Sequence, residues 1–492
     1  MIKLRRKYRK YFNASISIQK NLLFLMTKED LRQEYRTNVL SREKWNKRNR
    51  YYHFLLEKYF SFIIPKGKRV LEVGCSCGSL LHAVQPSFGV GIDFAPEAIE
   101  IARSKYPHLH FFVDDVEDLQ LKETFDYIIL SDTLGNLWDA QKAIHHLRVL
   151  CHSHTRLVIS QYNFLWEPLV KILEILHLKQ KQPNQNWFSN KDVENLLHLE
   201  NFQLIKTERK VWLPIRIPLL NFLFNRVMAN LPGLNRIGLV NFLVARPILS
   251  DNRQFHVSIV IPARNERGII ENAIKRTPEF GLSQEFILIE GNSSDQTYEE
   301  MERVQKTYSD KNIRLMKQTG TGKGNAVREA FDVATGDVLM ILDADLTMPP
   351  EELPKFYDAL RYNKGEFING CRLVYPMEKN AMRLFNLIGN KFFGWFFSYL
   401  LSQRLKDTLC GTKVLYRHDY ETIQSNRQYF GDFDPFGDFD LLFGAAKQNL
   451  KITEVIIRYK DRAYGNTQIS RFKHGLLLLR MSLFAARKIK FI

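Results

Sequence analysis

The sequence predicts two α/β domains in one chain of 492 residues. Short apolar runs alternate with helical stretches, the pattern of strands joined by crossover helices in a parallel sheet. The alternation occurs twice, and the length accommodates two domains of somewhat over 200 residues with linking and terminal segments. The apolar runs also end in acidic or Gly-rich loops, on the edge where such sheets bind ligands.

In the first half, Lys68-Arg69-Val70-Leu71-Glu72-Val73 reads as a strand. It enters the turn Gly74-Cys75-Ser76-Cys77-Gly78 and a helix from Ser79. Gly74 and Gly78 let a ligand approach the backbone closely. Val90-Gly91-Ile92 is the next strand, and Asp93 stands at its end, where an acid can accept both hydroxyls of a ribose. His110 to Val113 ends in Asp114-Asp115, and Phe125 to Leu130 ends in Ser131-Asp132. A nicotinamide cofactor would want G-x-G-x-x-G, and Ser76 breaks that fingerprint.

The set resembles class I S-adenosylmethionine-dependent methyltransferases over residues 45–203. Their E-x-G-x-G-x-G motif falls on Glu72, Gly74 and Gly78, with Ser76 in place of the middle Gly. The resemblance implies a Rossmann-like fold that binds S-adenosyl-L-methionine. It gives Asp93 the ribose and Asp115 the adenine. An Asn-Pro-Pro-Tyr tetrapeptide, which marks amino-group methylation of bases, is absent after the fourth strand. A sugar or small-molecule oxygen is therefore the expected methyl acceptor. No catalytic base stands out; His145, His146, His152 and His154 read as structural or solvated. A methyltransferase-like scaffold without catalysis is the alternative for this half.

In the second half, Val257 to Ile261 is a β-branched strand ending in Pro262-Ala263-Arg264-Asn265-Glu266. Phe286 to Ile289 ends in Glu290-Gly291-Asn292-Ser293-Ser294-Asp295, and helical stretches follow each strand. The run Asp337 to Leu342 then delivers Asp343-Ala344-Asp345. Two carboxylates two residues apart at a strand end can both reach one small hard cation, which can bridge the phosphates of a nucleotide. Gly320-Thr321-Gly322-Lys323-Gly324 is no P-loop, because position 317 is Lys and Gly324 follows Lys323. It is still a flexible Gly-rich loop with one cation suited to phosphate.

Residues 255–480 resemble glycosyltransferase family 2, and within it the polyprenyl-phosphate sugar transferases of the dolichol-phosphate mannose synthase type. The resemblance implies a GT-A fold with Pro262, Asn265 and Glu266 at the nucleotide and Glu290 to Asp295 at base and ribose. Glu290 and Gly291 depart from the usual acids there. A divalent metal, Mg²⁺ or Mn²⁺, falls on Asp343 and Asp345. Asp407 to Thr412 and Arg462-Ala463-Tyr464-Gly465-Asn466-Thr467 match two later motifs in part. Negative charge builds on the leaving diphosphate, so Lys323 and Arg462 are candidates to oppose it. A hydroxyl acceptor needs a general base, for which Asp438 or Asp440 is the candidate. A lipid-phosphate acceptor needs none, and both acids also suit a helix N-terminus.

The expected organisation is a basic segment 1–44, a methyltransferase domain 45–210, an apolar linking segment 211–254, a glycosyltransferase domain 255–470 and a basic amphipathic helix 471–492. Short helices, packed between the domains or lying on a membrane, are expected over 211–251. The net charge is +18, which first suggests nucleic acid. Its placement suggests an anionic membrane surface instead. Lys3 to Lys10 are crowded with cations, and after Asp461 no acid occurs while basic and apolar residues alternate. The aromatic run 384–401 is interrupted by Lys391 and reads as an interfacial helix.

Five scattered cysteines and no secretory signal fit the cytoplasm, with the protein peripheral on the inner face of a membrane. The expected partners are a nucleotide-sugar donor, a lipid-phosphate or glycan acceptor and the membrane surface. Nucleic-acid modification and nucleotidyl transfer are the rival readings.

Overall fold

The structure is a computed structural model that describes residues 27–180, 185–249, 253–376, 384–429, 437–462, 464 and 471–491. The basic cluster at 3–10, the apolar stretch 22–26 and the motif residues 463 and 465–467 lie outside them, as do the side chains of Phe385, Arg471 and Lys473. The chain forms two compact units, one made mainly of residues up to 247 and the other mainly of 248–492.

The first unit holds a seven-stranded sheet of β1 (Arg69–Val73), β2 (Phe88–Asp93), β3 (His110–Val113), β4 (Phe125–Ser131), β5 (Cys151–Tyr162), β6 (Phe202–Lys210) and β7 (Val240–Pro247). Their order is β3-β2-β1-β4-β5-β7-β6. Strands β3, β2, β1, β4 and β5 run parallel, and β7 returns antiparallel beside β5. The central strands are buried because helices cover both faces, so their sequences are almost continuously apolar. The chain order reverses between β1 and β4, and the cleft opens at that switch point.

Residues 211–239 hold the expected short helical turns, including Pro218–Asn221 and Leu234–Ile237. The expectation fails at β7, which is drawn into the first sheet and buried along its whole length. A run of Val, Phe, Leu, Val and Ala is better satisfied by a central sheet position than by a linking helix.

The second unit holds β8 (His256–Ala263), β9 (Ser283–Glu290), β10 (Asn312–Lys317), β11 (Val338–Ile341), β12 (Phe367–Cys371), β13 (Lys413–Tyr416) and β14 (Ile452–Ile456), in the order β10-β9-β8-β11-β13-β12-β14. The first four are parallel as expected, and β13 is antiparallel to both neighbours. All four residues of β11 are buried, which fixes where its chain emerges.

The aromatic helix Leu384–Leu401 serves as a core helix on one face. Phe393, Phe397, Leu400 and Leu401 are buried, while Ile388, Phe392 and Trp395 are exposed. The last helix, Arg471–Ile489, is divided in the same way, with Met481 and Ala485 inside and Leu476 and Leu483 outside. Among the described residues no helix is long and apolar enough to cross a membrane.

The Phe397 ring lies 4.5 Å from Phe439 and 5.1 Å from Phe443, centroid to centroid. Phe397→Ala is expected to destabilise the second unit by about 3–5 kcal/mol, read from urea unfolding followed by circular dichroism.

Candidate functional site

In the second unit, loops after β8, β9, β11 and β12 line a cleft of about 670 Å³ together with the start of the helix Lys323–Val333. Asp343 and Asp345 leave β11 at its carboxyl end, and both line the cleft. Lys323 Nζ lies 2.5 Å from Asp343 Oδ1. Asp345 Oδ1 accepts from the Thr347 amide at 3.1 Å and its hydroxyl at 2.9 Å, and Oδ2 faces Arg462 at 3.7 Å.

The two acids are driven apart electrostatically. Burial and then the charge of Asp343 push the Asp345 carboxyl up. Burial works the same way on Asp343, but Lys323, with Lys413 and Arg372 behind it, holds that carboxyl below its usual range. Glu266 is buried and ion-paired with Arg462. Burial pushes it up to about 7, against the pull of Arg462 and with a push from Asp345.

Of the residues singled out in the sequence, Pro262, Glu266, Lys323, Asp343, Asp345, Asp438 and Arg462 line this cleft. Asn265, Glu290 and Asp295 stand beside it, in the loops that shape it. Asn265 adopts a left-handed backbone, and its side chain accepts from the Ser294 amide at 2.8 Å, stitching the β8 loop to the β9 loop. Glu290 is buried and accepts from the Ser293 amide within its own turn. Asp295 accepts from the Arg267 amide and the Thr297 hydroxyl. All three spend their oxygens on shaping loops. Asp440 is likewise outside the cleft, buried and paired with Arg427 at 3.1 Å. Asp438 lines the cleft but is held 2.9 Å from the buried Lys413.

Arg372 was missed. It follows β12, lines the cleft and is clamped by the fully buried Asp407 at 2.7 and 2.8 Å. The only available signal was a single cation after an apolar strand.

In the first unit, a cleft at the ends of β1, β2 and β4 is lined by Gly74, Ser76, Asp93, Asp115 and Asp132, among others. Gly74, Ser76 and Gly78 have φ of 70°, 47° and 77°. Ser76 therefore holds the left-handed backbone that favours glycine. Its amide donates to Asp93 Oδ2 at 3.0 Å, and Asp93 Oδ1 accepts from the Ala95 amide at 3.0 Å.

Glu72 and Gly78 do not line the cleft. Glu72 is buried, accepts from the Leu81 amide at 2.9 Å and is pushed up to about 8 by burial. A side chain at Gly78 would overlap the Phe111 ring. Asp115 is paired with Lys28 at 2.7 Å and with Arg32, both from the helix Lys28–Thr37 that borders the cleft.

Asp132 was not singled out in the sequence as a site residue. It sits just past β4 and accepts from the Tyr52 hydroxyl at 2.6 Å. Burial pushes its carboxyl up to about 6, against the Tyr52 hydrogen bond and the charge of Lys179. His145 and His152 pair with Glu200 and Asp126. His146 accepts from the Leu119 amide, and the His154 amide bonds to His152.

Residues 258–423 match the model described as Glycosyl transferase family 2, and residues 44–207 match one described as Methyltransferase domain. The Dolichol-phosphate mannosyltransferase of Pyrococcus furiosus is 36% identical over 120 residues, covering 24% of this chain and 33% of that protein. The Undecaprenyl-phosphate 4-deoxy-4-formamido-L-arabinose transferase of Edwardsiella ictaluri is 31% identical over 136 residues, 26% of this chain and 42% of that protein. The chain thus spans 33% and 42% of the length of these two curated relatives. A SAM-dependent methyltransferase of Thermotoga maritima, described as a possible histamine N-methyltransferase, superposes with a TM-score of 0.35 at 18% identity, covering 43% of this chain and 97% of that one. The chain carries two transferase domains, a methyltransferase domain followed by a glycosyltransferase family 2 domain.

A Cβ at Gly411 would overlap both Asp343 Oδ2 and Lys323 Nζ, so the acidic pair is packed against bare backbone. Gly411→Ala is expected to lower kcat/KM for glycosyl transfer by about 100-fold through misplacement of these groups. Gly389→Ala, where a Cβ meets nothing within 4 Å, should leave it unchanged; steady-state kinetics of the two variants checks this.

Proposed function

We propose that the second unit is a metal-dependent, inverting glycosyltransferase that moves a sugar from a nucleotide-sugar to a polyprenyl phosphate. The first unit, on the same proposal, methylates an oxygen with S-adenosyl-L-methionine. The observation that carries the first part is the acidic pair Asp343 and Asp345 at the end of a buried strand, in a cleft that also holds Lys323, Arg372 and Arg462.

The donor set suits a divalent cation. Two carboxylates contribute hard oxygen ligands, and Asp345 has Arg462 no nearer than 3.7 Å. Asp343 and Asp345 would hold such an ion in the cleft where a diphosphate would lie. When bound, the metal supplies positive charge to the leaving diphosphate. Lys323, Arg372 and Arg462 add fixed positive charge in the same cleft, preorganised by Asp343, Asp407 and Glu266.

A phosphate acceptor is already anionic and needs no base. This agrees with Asp438 being neutralised by Lys413 and Asp440 being turned away. The two relatives, named for dolichol phosphate and undecaprenyl phosphate, support the same acceptor class.

In the first unit, Asp93 and the backbone of Gly74 and Ser76 fit the ribose and the close approach that the cofactor requires. The cofactor supplies an electrophilic methyl group. A hydroxyl acceptor must lose its proton as it is methylated, and Asp132 borders the cleft and is able to take it. Tyr52 holds that carboxylate by its hydroxyl, and the Tyr52 ring stacks on Tyr162 at 6.0 Å.

A panel of UDP- and GDP-sugars, with Mg²⁺ or Mn²⁺ and with or without polyprenyl phosphate, tests the transferase. Metal-dependent release of one nucleoside diphosphate, stimulated by the lipid, is the expected result. Asp345→Ala should reduce it by at least about a thousandfold. The same variant should leave S-adenosylhomocysteine binding, measured by calorimetry, unaltered. Turnover indifferent to lipid would transfer the acceptor role to a hydroxyl and the base role to Asp438.

Asp132→Asn should lower methyl transfer to hydroxyl acceptors by about 100-fold or more while leaving S-adenosylhomocysteine affinity within a few-fold. The carboxylate form is the base, so the wild-type rate should fall as pH drops through about 6.

A further inference from the structure

The surface of the first unit carries an apolar face that a water-exposed protein surface does not explain. In the helix Glu167–Ile175 only Val170 is buried. Leu165, Ile172 and Ile175 stand 60%, 51% and 66% exposed. Residues 215–223 repeat the pattern, with Leu219 81% and Phe222 56% exposed.

The asparagines Asn221 and Asn225 of this second segment point inward. Asn221 is buried and accepts from the Ile217 amide at 2.5 Å while donating to the Ile215 carbonyl at 2.7 Å. Asn225 is buried and accepts from the Trp212 and Leu213 amides at 2.8 and 2.9 Å. A segment that buries its amides and exposes Leu and Phe is inverted relative to a surface that faces water.

Hydrogen bonds tie the two stretches into one region. The Trp166 indole donates to the Ile237 carbonyl at 2.8 Å, and the Leu239 amide donates to the Val211 carbonyl at 2.7 Å. The charge around it has one sign in the later segment. Residues 211–249 contain no acid, and Arg216, Arg226 and Arg236 are all exposed. The acids of the neighbouring helix, Glu167 and Glu174, are neutralised by Lys171 and Lys179 at 2.5 and 2.9 Å.

We propose that this face, formed by residues 164–178, 215–229 and 233–237 of the methyltransferase unit, docks on an anionic lipid bilayer. Leu219, Phe222, Ile172 and Ile175 enter the interface, and Arg216, Arg226 and Arg236 meet the headgroups. Apolar burial and attraction to anionic lipid act together in such binding. Half-buried Trp166 and Trp212 suit the boundary between the two layers. A second copy of this chain is a poorer occupant, because a two-fold contact would set these exposed arginines against each other. The proposal rests on the lipid-phosphate reading for the reason to be at a bilayer. It adds that the methyltransferase unit itself touches the bilayer.

The test uses the full chain and vesicles of phosphatidylcholine alone or with about a third phosphatidylglycerol. Flotation should recover the wild type with the anionic vesicles. Hydrogen exchange should show residues 164–178, 215–229 and 233–237 protected there. Leu219→Glu combined with Phe222→Glu should weaken partitioning at least about tenfold. Unaltered S-adenosylhomocysteine affinity would show that this variant is folded, and Arg216→Ala with Arg226→Ala provides a second variant that keeps the apolar face.

Wild-type partitioning that both variants share, with no protection of these segments, would overturn the proposal and leave the lipid-phosphate reading intact. So would lipid-stimulated sugar transfer in detergent by a protein that binds no vesicle. Protection that appears with protein concentration and without vesicles would assign the face to a second copy and also overturn it.

Discussion

The charge balance around Asp343 and Asp345 is the constraint on which the second unit depends. Two carboxylates on one short loop repel, and the structure answers with Lys323 on one of them and Arg462 near the other. Those cations are themselves anchored, since Arg462 also pairs with Glu266 from the β8 loop. Arg372 is fixed by Asp407 in the same way. Each strand-end loop thus supplies one sign of charge to hold another loop. Removing one partner would leave a charge without compensation in a poorly solvated place, where the cost is greatest. Charges held in place by partners in this way are the kind that act effectively on developing negative charge.

The first unit solves a different problem with backbone geometry. Three left-handed residues in five compress the turn after β1, so that its amides and the acid after β2 face one cleft. Ser76 accepts a strained backbone there, and the hydrogen bond from its amide to Asp93 stabilises that conformation. The cleft also differs from the second in its titration. Asp132 is held near the working pH by burial against a tyrosine, whereas Asp343 is held ionised by lysine. A carboxylate poised to exchange a proton and one poised to keep its charge are suited to different chemistry.

Much of the fold was legible because the strands are buried on both faces. Phe286 to Ile289 and Val338 to Ile341 are continuous apolar runs and Val70 to Val73 is broken only by Glu72, the pattern of strands buried between two layers. The antiparallel strands were not legible. Val240–Pro247 is as apolar as its neighbours, and only pairing with β5 decides that it is a strand of the first sheet rather than a connecting segment. The aromatic run 384–401 was ambiguous for a related reason. Its composition suits an interface or a core, and the structure uses one face for Phe397 inside and the other for Trp395 outside.

By itself the sequence determined which loops carry chemistry, because acidic and glycine residues at strand ends are local features that survive without knowledge of packing. It determined the acidic pair, the Gly-rich turns, Asp93 and the two-domain plan. Only the tertiary structure decided which of these side chains line a cleft and which bond within the loops around it. Asn265, Glu290, Asp295 and Asp440 have the right chemistry and adjacent positions, yet their oxygens are consumed by nearby amides or by Arg427. Arg372 and Asp132 become functional candidates only because distant partners, Asp407 and Tyr52, turn them toward a cleft. Side-chain direction depends on contacts far apart in sequence, and those contacts exist only after the sheets have closed.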